Sequence, residues 1–154
     1  MGSAIEFYID GAWVAPLSGA RRDIIDPSSE RVCGQVALAG EADVDRAVRA
    51  ARTAFAAYAA TSREERLALL DRIIAGYERR AGDIAEAVMR ELGAPAWFAR
   101  DPQVAIGLAH LRQAAATLAE YRFERMQGTT LIAREPAGVA ALITPWNWPL
   151  NQIV

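Results

Sequence analysis

Lysine is missing from this 154-residue chain: all seventeen of its basic side chains are arginine. A guanidinium forms no Schiff base and does not act as the phosphate-cradling lysine of a P-loop, so both chemistries are excluded within this stretch. Cysteine is nearly absent as well. The single Cys33 rules out an internal disulfide framework and any multi-cysteine metal site, and its solitude suits a reducing compartment. His110 is the one histidine, with no second for a metal pair. No run approaches the roughly 18 apolar residues of a membrane span, and the start lacks both a basic leader and an apolar one. A cytoplasmic protein with no membrane partner is expected. Neither charge dominates: 17 basic against 19 acidic residues leave a net charge of -2, which gives no electrostatic footprint for nucleic acid. G-x-G-x-x-G, G-x-S-x-G, H-E-x-x-H and the Walker lysine are all missing.

What is present is apolar and patterned. A 53% apolar composition suffices for a core and argues against disorder. With the charges balanced, small molecules or protein are the expected partners. Phe7–Ile9 and Ala12–Val14 flank Asp10-Gly11, a hairpin signal; Arg22–Ile25 and Arg31–Ala37 flank Asp26-Pro27-Ser28-Ser29, a second one. The chain therefore opens on a small antiparallel β layer. From Asp43 the period becomes helical, with Val44, Ala47, Val48, Ala51, Phe55 and Tyr58 on one stripe. Thr61 and Ser62 each find a glutamate three residues on, predicting a second helix with two overlapping capping boxes. Asp83 is the expected cap of a third helix ending at Leu92, and Asp101-Pro102 the expected start of a fourth running to about Tyr121. Phe123–Gln127 and Thr129–Glu135 read as a two-stranded arm around Gly128.

Val139 to Thr144 is a continuous apolar run, the mark of a strand covered on both faces in a parallel sheet. Parallel neighbours arrive through crossover helices, and ten residues after Thr144 leave no room for one. The chain is therefore expected to be the opening part of a larger α/β protein whose sheet lies further on. Directly after the run, Pro145-Trp146-Asn147-Trp148-Pro149 falls where ligands bind in open α/β sheets, beyond a strand's carboxyl end. Two flat apolar walls beside an amide donor suit carbonyl chemistry. The same residues would equally serve to plug the end of a sheet. Cys33 in a strand and His110 in a helix read as structural.

Glu135-Pro136-Ala137-Gly138-Val139 leading into Pro145-Trp146-Asn147-Trp148-Pro149 resembles the E-P-x-G-V and P-W-N-[FW]-P signature of the aldehyde dehydrogenase superfamily. The likeness extends back through Ile9–Val14, Ala42–Val48, Arg66 and Glu91-Leu92-Gly93, and so covers nearly the whole chain. It implies NAD- or NADP-dependent oxidation of an aldehyde to a carboxylic acid through a cysteine thioester. Asn147 matches the oxyanion-hole asparagine, Ile143, Thr144, Pro145 and Trp146 the cofactor-contacting stretch, and Trp148 the substrate-tunnel aromatic. The organisation it implies is β hairpins and helices over 1–122, an oligomerisation arm over 123–135 making a homodimer or homotetramer, and over 136–154 the first strand and following helix of a Rossmann-like sheet. The family's nucleophilic cysteine, general-base glutamate and cofactor lysine all fall beyond residue 154, and Cys33 matches none of them. These 154 residues alone are expected to be catalytically silent. Two alternatives stand beside this: a non-catalytic binding or assembly module that keeps the front of the fold, and a parent enzyme of the CoA-acylating type.

Overall fold

Asp10 and Gly11 both take positive φ, 55° and 77°, the two-residue loop whose twist matches the strands it joins. It closes β1 (Phe7–Ile9) onto β2 (Ala12–Val14) in the computed structural model, which describes residues 4–154; the first three residues of the expected 1–122 unit lie outside the described residues. A second hairpin pairs β3 (Arg21–Asp26) with β4 (Arg31–Ala37), with a bulge between Ile24 and Ile25. Its turn is organised by Asp26, whose carboxylate accepts from the Ser28 amide (2.8 Å), the Ser28 hydroxyl (2.6 Å) and the Ser29 hydroxyl (2.8 Å). Both hairpins are antiparallel, as expected, but they form separate two-stranded sheets rather than one layer. Pro16 and Gly19, the latter at φ 64°, break the extended chain between them.

The carboxylate of Asp43, almost wholly buried, accepts from the amides of Leu17 (3.0 Å) and Gly40 (3.1 Å) and so fastens the start of α1 (Glu41–Ala59) to the loop before β3. The α1 stripe is less buried than its pattern predicts: Val44, Val48 and Tyr58 are exposed and Phe55 is half-buried. Its inner side borders an open groove of about 650 Å3 shared with residues 137–141. At α2 (Arg63–Arg79) only one of the two predicted boxes closes. Ser62 Oγ accepts from the Glu65 amide (3.1 Å) and the Glu65 carboxylate accepts from the Ser62 amide (2.7 Å), whereas Thr61 turns back to donate to the Tyr58 carbonyl (2.6 Å). A helix has one N-cap residue, and the neighbour must satisfy itself elsewhere.

α3 (Ala81–Leu92) starts one turn earlier than expected, so Asp83 sits inside its first turn, 3.3 Å from Arg80 Nε, instead of capping it. Gly93, at φ 72°, ends it with its amide bonded to the Met89 carbonyl, and a Cβ there would stand 2.6 Å from Pro27 Cγ. The next helical run also begins early, at α4 (Ala96–Phe98) behind Pro95, and passes through a widened π segment, Ala99–Val104, into α5 (Ala105–Glu120). Asp101-Pro102 is therefore interior rather than a start. Pro102 has no N–H to give, and the wider π turn carries it where an ordinary α turn would break.

The core gathers Ala85 and Val88 of α3, Ala99 and Val104 of the π segment, and Leu150 of α6 (Pro149–Ile153), with Tyr77, Ile84 and Leu92 around them. β5 (Glu124–Gln127) and β6 (Thr130–Ala133) make the predicted arm, paired around Gly128 at φ 61° and exposed almost throughout. Residues 136–148 hold the chief departure. The run Val139–Thr144 pairs with no strand among the described residues and lies in solvent, Leu142 at 77% and Ile143 at 96% exposure. Its apolar side chains have neither the ladder nor the two covering layers that the pattern calls for.

Candidate functional site

The turn after the apolar run is bolted from behind and free in front. Pro149 takes the first position of α6, where its missing N–H costs nothing, and drives Leu150 into the core against Val104. One residue on, Asn151 Oδ1 lies 2.7 Å from His110 Nε2, which ties α6 to α5. Gly107 makes room for this contact: a Cβ there would meet Leu150 Cβ at 3.2 Å and the Tyr77 hydroxyl oxygen at 2.5 Å. Tyr77 donates to the Val104 carbonyl (2.8 Å), and burial pushes its phenol above the ordinary 10.0, so it stays a neutral donor.

Pro145, Trp146, Asn147 and Trp148 of the predicted site lie on this turn, and Ile143 and Thr144 close the run before it. Trp148 is half-buried and meets Phe98 edge-on, ring centroids 5.2 Å apart, and Phe98 meets Trp97 in the same way at 5.5 Å. Asn147 is held by its backbone, since its carbonyl accepts from Gln103 Nε2 at 3.2 Å, while its side chain is exposed. Ile143, Thr144, Pro145 and Trp146 precede it in solvent, Trp146 at 79% exposure. Beneath Trp146 an apolar groove of about 410 Å3 is lined by Ile84, Val88, Leu92, Pro149 and Leu150, with Glu91 at its edge. Residues 143–150 contain no ionisable side chain. What the turn offers is therefore a neutral amide donor beside aromatic walls, suited to receive a developing negative oxygen and not to exchange protons.

Sequence reasoning missed Gln103 and Phe98. Gln103 lies four residues before Gly107 and eight before Leu111, and with Ala99 these form one buried row. A polar residue on that row is the signal the sequence offers. Cys33 stands in β4 against Arg90 of α3, whose guanidinium donates to the Cys33 carbonyl (2.8 Å). No side-chain base bonds its thiol among the described residues. Among the same residues no three His, Cys, Asp or Glu side chains cluster to hold a metal ion, and no helix is long and apolar enough to cross a membrane.

Comparison with known proteins bears on the chain as a whole. A sequence profile of the aldehyde dehydrogenase family matches residues 13–154. A 3-succinoylsemialdehyde-pyridine dehydrogenase from a Pseudomonas species is 48% identical over 149 residues, 96% of this chain and 31% of that protein. In three dimensions the chain superposes on a cysteine-to-alanine mutant of aldehyde dehydrogenase C from Pseudomonas syringae, solved with NAD+ and octanal, at a TM-score of 0.95 and 49% identity, over 97% of this chain and 31% of that one. An aldehyde dehydrogenase from Bartonella henselae gives a TM-score of 0.95 at 36% identity over 99% of this chain and 33% of that one. The chain thus spans about a third of the length of the relatives it matches.

Proposed function

Because the chain belongs to the aldehyde dehydrogenase family, we propose that it forms the N-terminal part of an enzyme that oxidises a small aldehyde to a carboxylic acid with NAD+ or NADP+. The observation that carries this reading is Asn147, fixed by its carbonyl to Gln103 while its exposed side-chain amide bonds no partner among the described residues. The amide N–H donates to the oxygen of the tetrahedral species formed when a nucleophile adds to the aldehyde carbonyl. The nucleophilic cysteine and the general-base glutamate belong to chain beyond residue 154, and the 154 residues alone turn over no aldehyde.

Trp148, steadied edge-on by Phe98, forms a wall for the aldehyde's substituent. Ile143, Thr144, Pro145 and Trp146 hold the dinucleotide: their free apolar faces and exposed hydroxyl fit a ligand with flat rings and ribose hydroxyls, and a close structural relative was solved with NAD+. The dinucleotide supplies the hydride acceptor. Residues 1–122 and 136–154 serve the cofactor-binding layer, and the exposed β5–β6 arm over 123–135 pairs copies into a homodimer or homotetramer in the cytoplasm.

The test is to measure NAD(P)H formation from aldehydes by the full-length polypeptide and by its Asn147→Ala variant. Loss of one oxyanion donor lowers kcat by roughly 100-fold with dinucleotide affinity little changed. Unaltered turnover removes the catalytic assignment.

A further inference from the structure

Gln103 is fully buried, at 0% exposure, in the π segment between Ala99 and Val104, both of which belong to the core. Its Nε2 donates to the Asn147 carbonyl at 3.2 Å, and its Oε1, also buried, has no hydrogen-bond partner among the described residues. The orientation of this amide is dictated by its partner, because a carbonyl oxygen accepts only from the NH2 end. A buried amide with its acceptor unmet is costly, and an apolar side chain of the same length would fill the space without that penalty. The bond to Asn147 is the one thing Gln103 does that methionine would not.

That bond falls at a mechanically decisive place. Among the described residues the other fastenings of the turn come after Asn147, at Trp148 against Phe98, Leu150 in the core and Asn151 against His110. Before Asn147, residues 139–146 are exposed throughout. Among the described residues the Gln103 amide is the only side chain that bonds Asn147 itself, so it marks where the free run ends and the anchored turn begins. The π segment that carries Gln103 is a form of helix often found at functional sites, and here it delivers a polar side chain into an apolar core.

We propose that Gln103 is a positioning residue for Asn147: its amide fixes the Asn147 carbonyl, and through the backbone sets where the Asn147 side-chain donor points. This inference rests on the oxyanion role proposed above for Asn147. Displacing a catalytic donor by about 1 Å can cost up to about 100-fold in rate, so a tether that limits such movement acts on kcat and not on ligand affinity.

The experiment is a double-mutant cycle in the full-length enzyme with Gln103→Met, Asn147→Ala and the pair together, read by steady-state kinetics and by hydrogen–deuterium exchange. Gln103→Met keeps the length and loses the donor. Its kcat falls about tenfold, with KM for aldehyde and dinucleotide affinity held within about twofold. In the Asn147→Ala background the same change lowers kcat by less than about twofold, because the donor it positions is already gone. Exchange over residues 145–151 rises about fivefold in Gln103→Met, while the β1–β4 hairpins are unaffected. A tenfold loss of kcat in both backgrounds means a general structural role and overturns the inference, as does unchanged exchange over 145–151. Full activity of Asn147→Ala alongside raised exchange in Gln103→Met identifies failure of the oxyanion reading, with the tether itself intact and its catalytic purpose removed. If Gln103→Met does not fold, Gln103→Asn, which retains the amide one methylene too short, is held to the same outcomes.

Discussion

At Gly107 there is no room for one methyl group. An added Cβ would lie 2.5 Å from the Tyr77 hydroxyl oxygen and 3.2 Å from Leu150 Cβ, and Tyr77 is not free to move because it donates to the Val104 carbonyl. Gly107→Ala is therefore expected to destabilise by about 1–3 kcal/mol, the ordinary range for overpacking a filled site. Tyr77→Phe removes the closest clashing atom together with one buried hydrogen bond, so the double variant should lose less than the sum of the two singles. Urea unfolding of the four proteins checks this, and strict additivity would place the clash elsewhere. The candidate site shows the same dependence on single atoms. Asn147 was legible as an amide in a rigid turn, whereas the donor holding it was not, because Gln103 is distant in sequence and shares only a helix row with Gly107 and Leu111.

Single elements obey local chemistry where their ends are self-contained. Asp10-Gly11 closes β1–β2 and Ser62 with Glu65 starts α2 because every partner lies within a few residues. The Asp26 turn of β3–β4 belongs to this class and yields a pH dependence. Hydrogen bonds from the Ser28 hydroxyl, then the Ser28 amide and the Ser29 hydroxyl, lower its pKa from 3.8 to about 2. The folded hairpin thus favours the carboxylate, and this contribution is present above 3.8 and lost as pH falls through about 2. The gap in unfolding midpoint between the wild type and Asp26→Ala should accordingly persist at neutral pH and close at the acid end; a gap that does not narrow there rules out the carboxylate as its source. Glu65 is lowered in the same direction, chiefly by the Ser62 amide. Element starts were misread where a competing partner decided them. The Asp101-Pro102 pattern predicts a first-turn proline, yet the chain is already helical from Ala96 and absorbs Pro102 in a π turn.

As a whole molecule the chain leaves apolar surface uncovered along one course, from the α1 stripe through Leu142 and Ile143 to Trp146. It spans about a third of its relatives' length, and α1 and residues 137–141 border an open groove of about 650 Å3. Such a surface associates in water. The 154-residue chain is expected to self-associate in a concentration-dependent manner, and Leu142→Lys combined with Ile143→Glu to restore smaller species; light scattering after size-exclusion chromatography reads both. A monodisperse wild-type monomer at high concentration would mean that the apolar run is not adhesive.

By itself the sequence determined the hairpin turns, the α2 cap, the helical periods and the apolar character of 139–144, since each depends on residues close together in the chain. Only the tertiary structure decided which stripes are covered and which side chain holds the Asn147 carbonyl. Those outcomes depend on contacts between residues tens of positions apart, where burial and hydrogen-bond satisfaction are settled jointly by all the elements that meet.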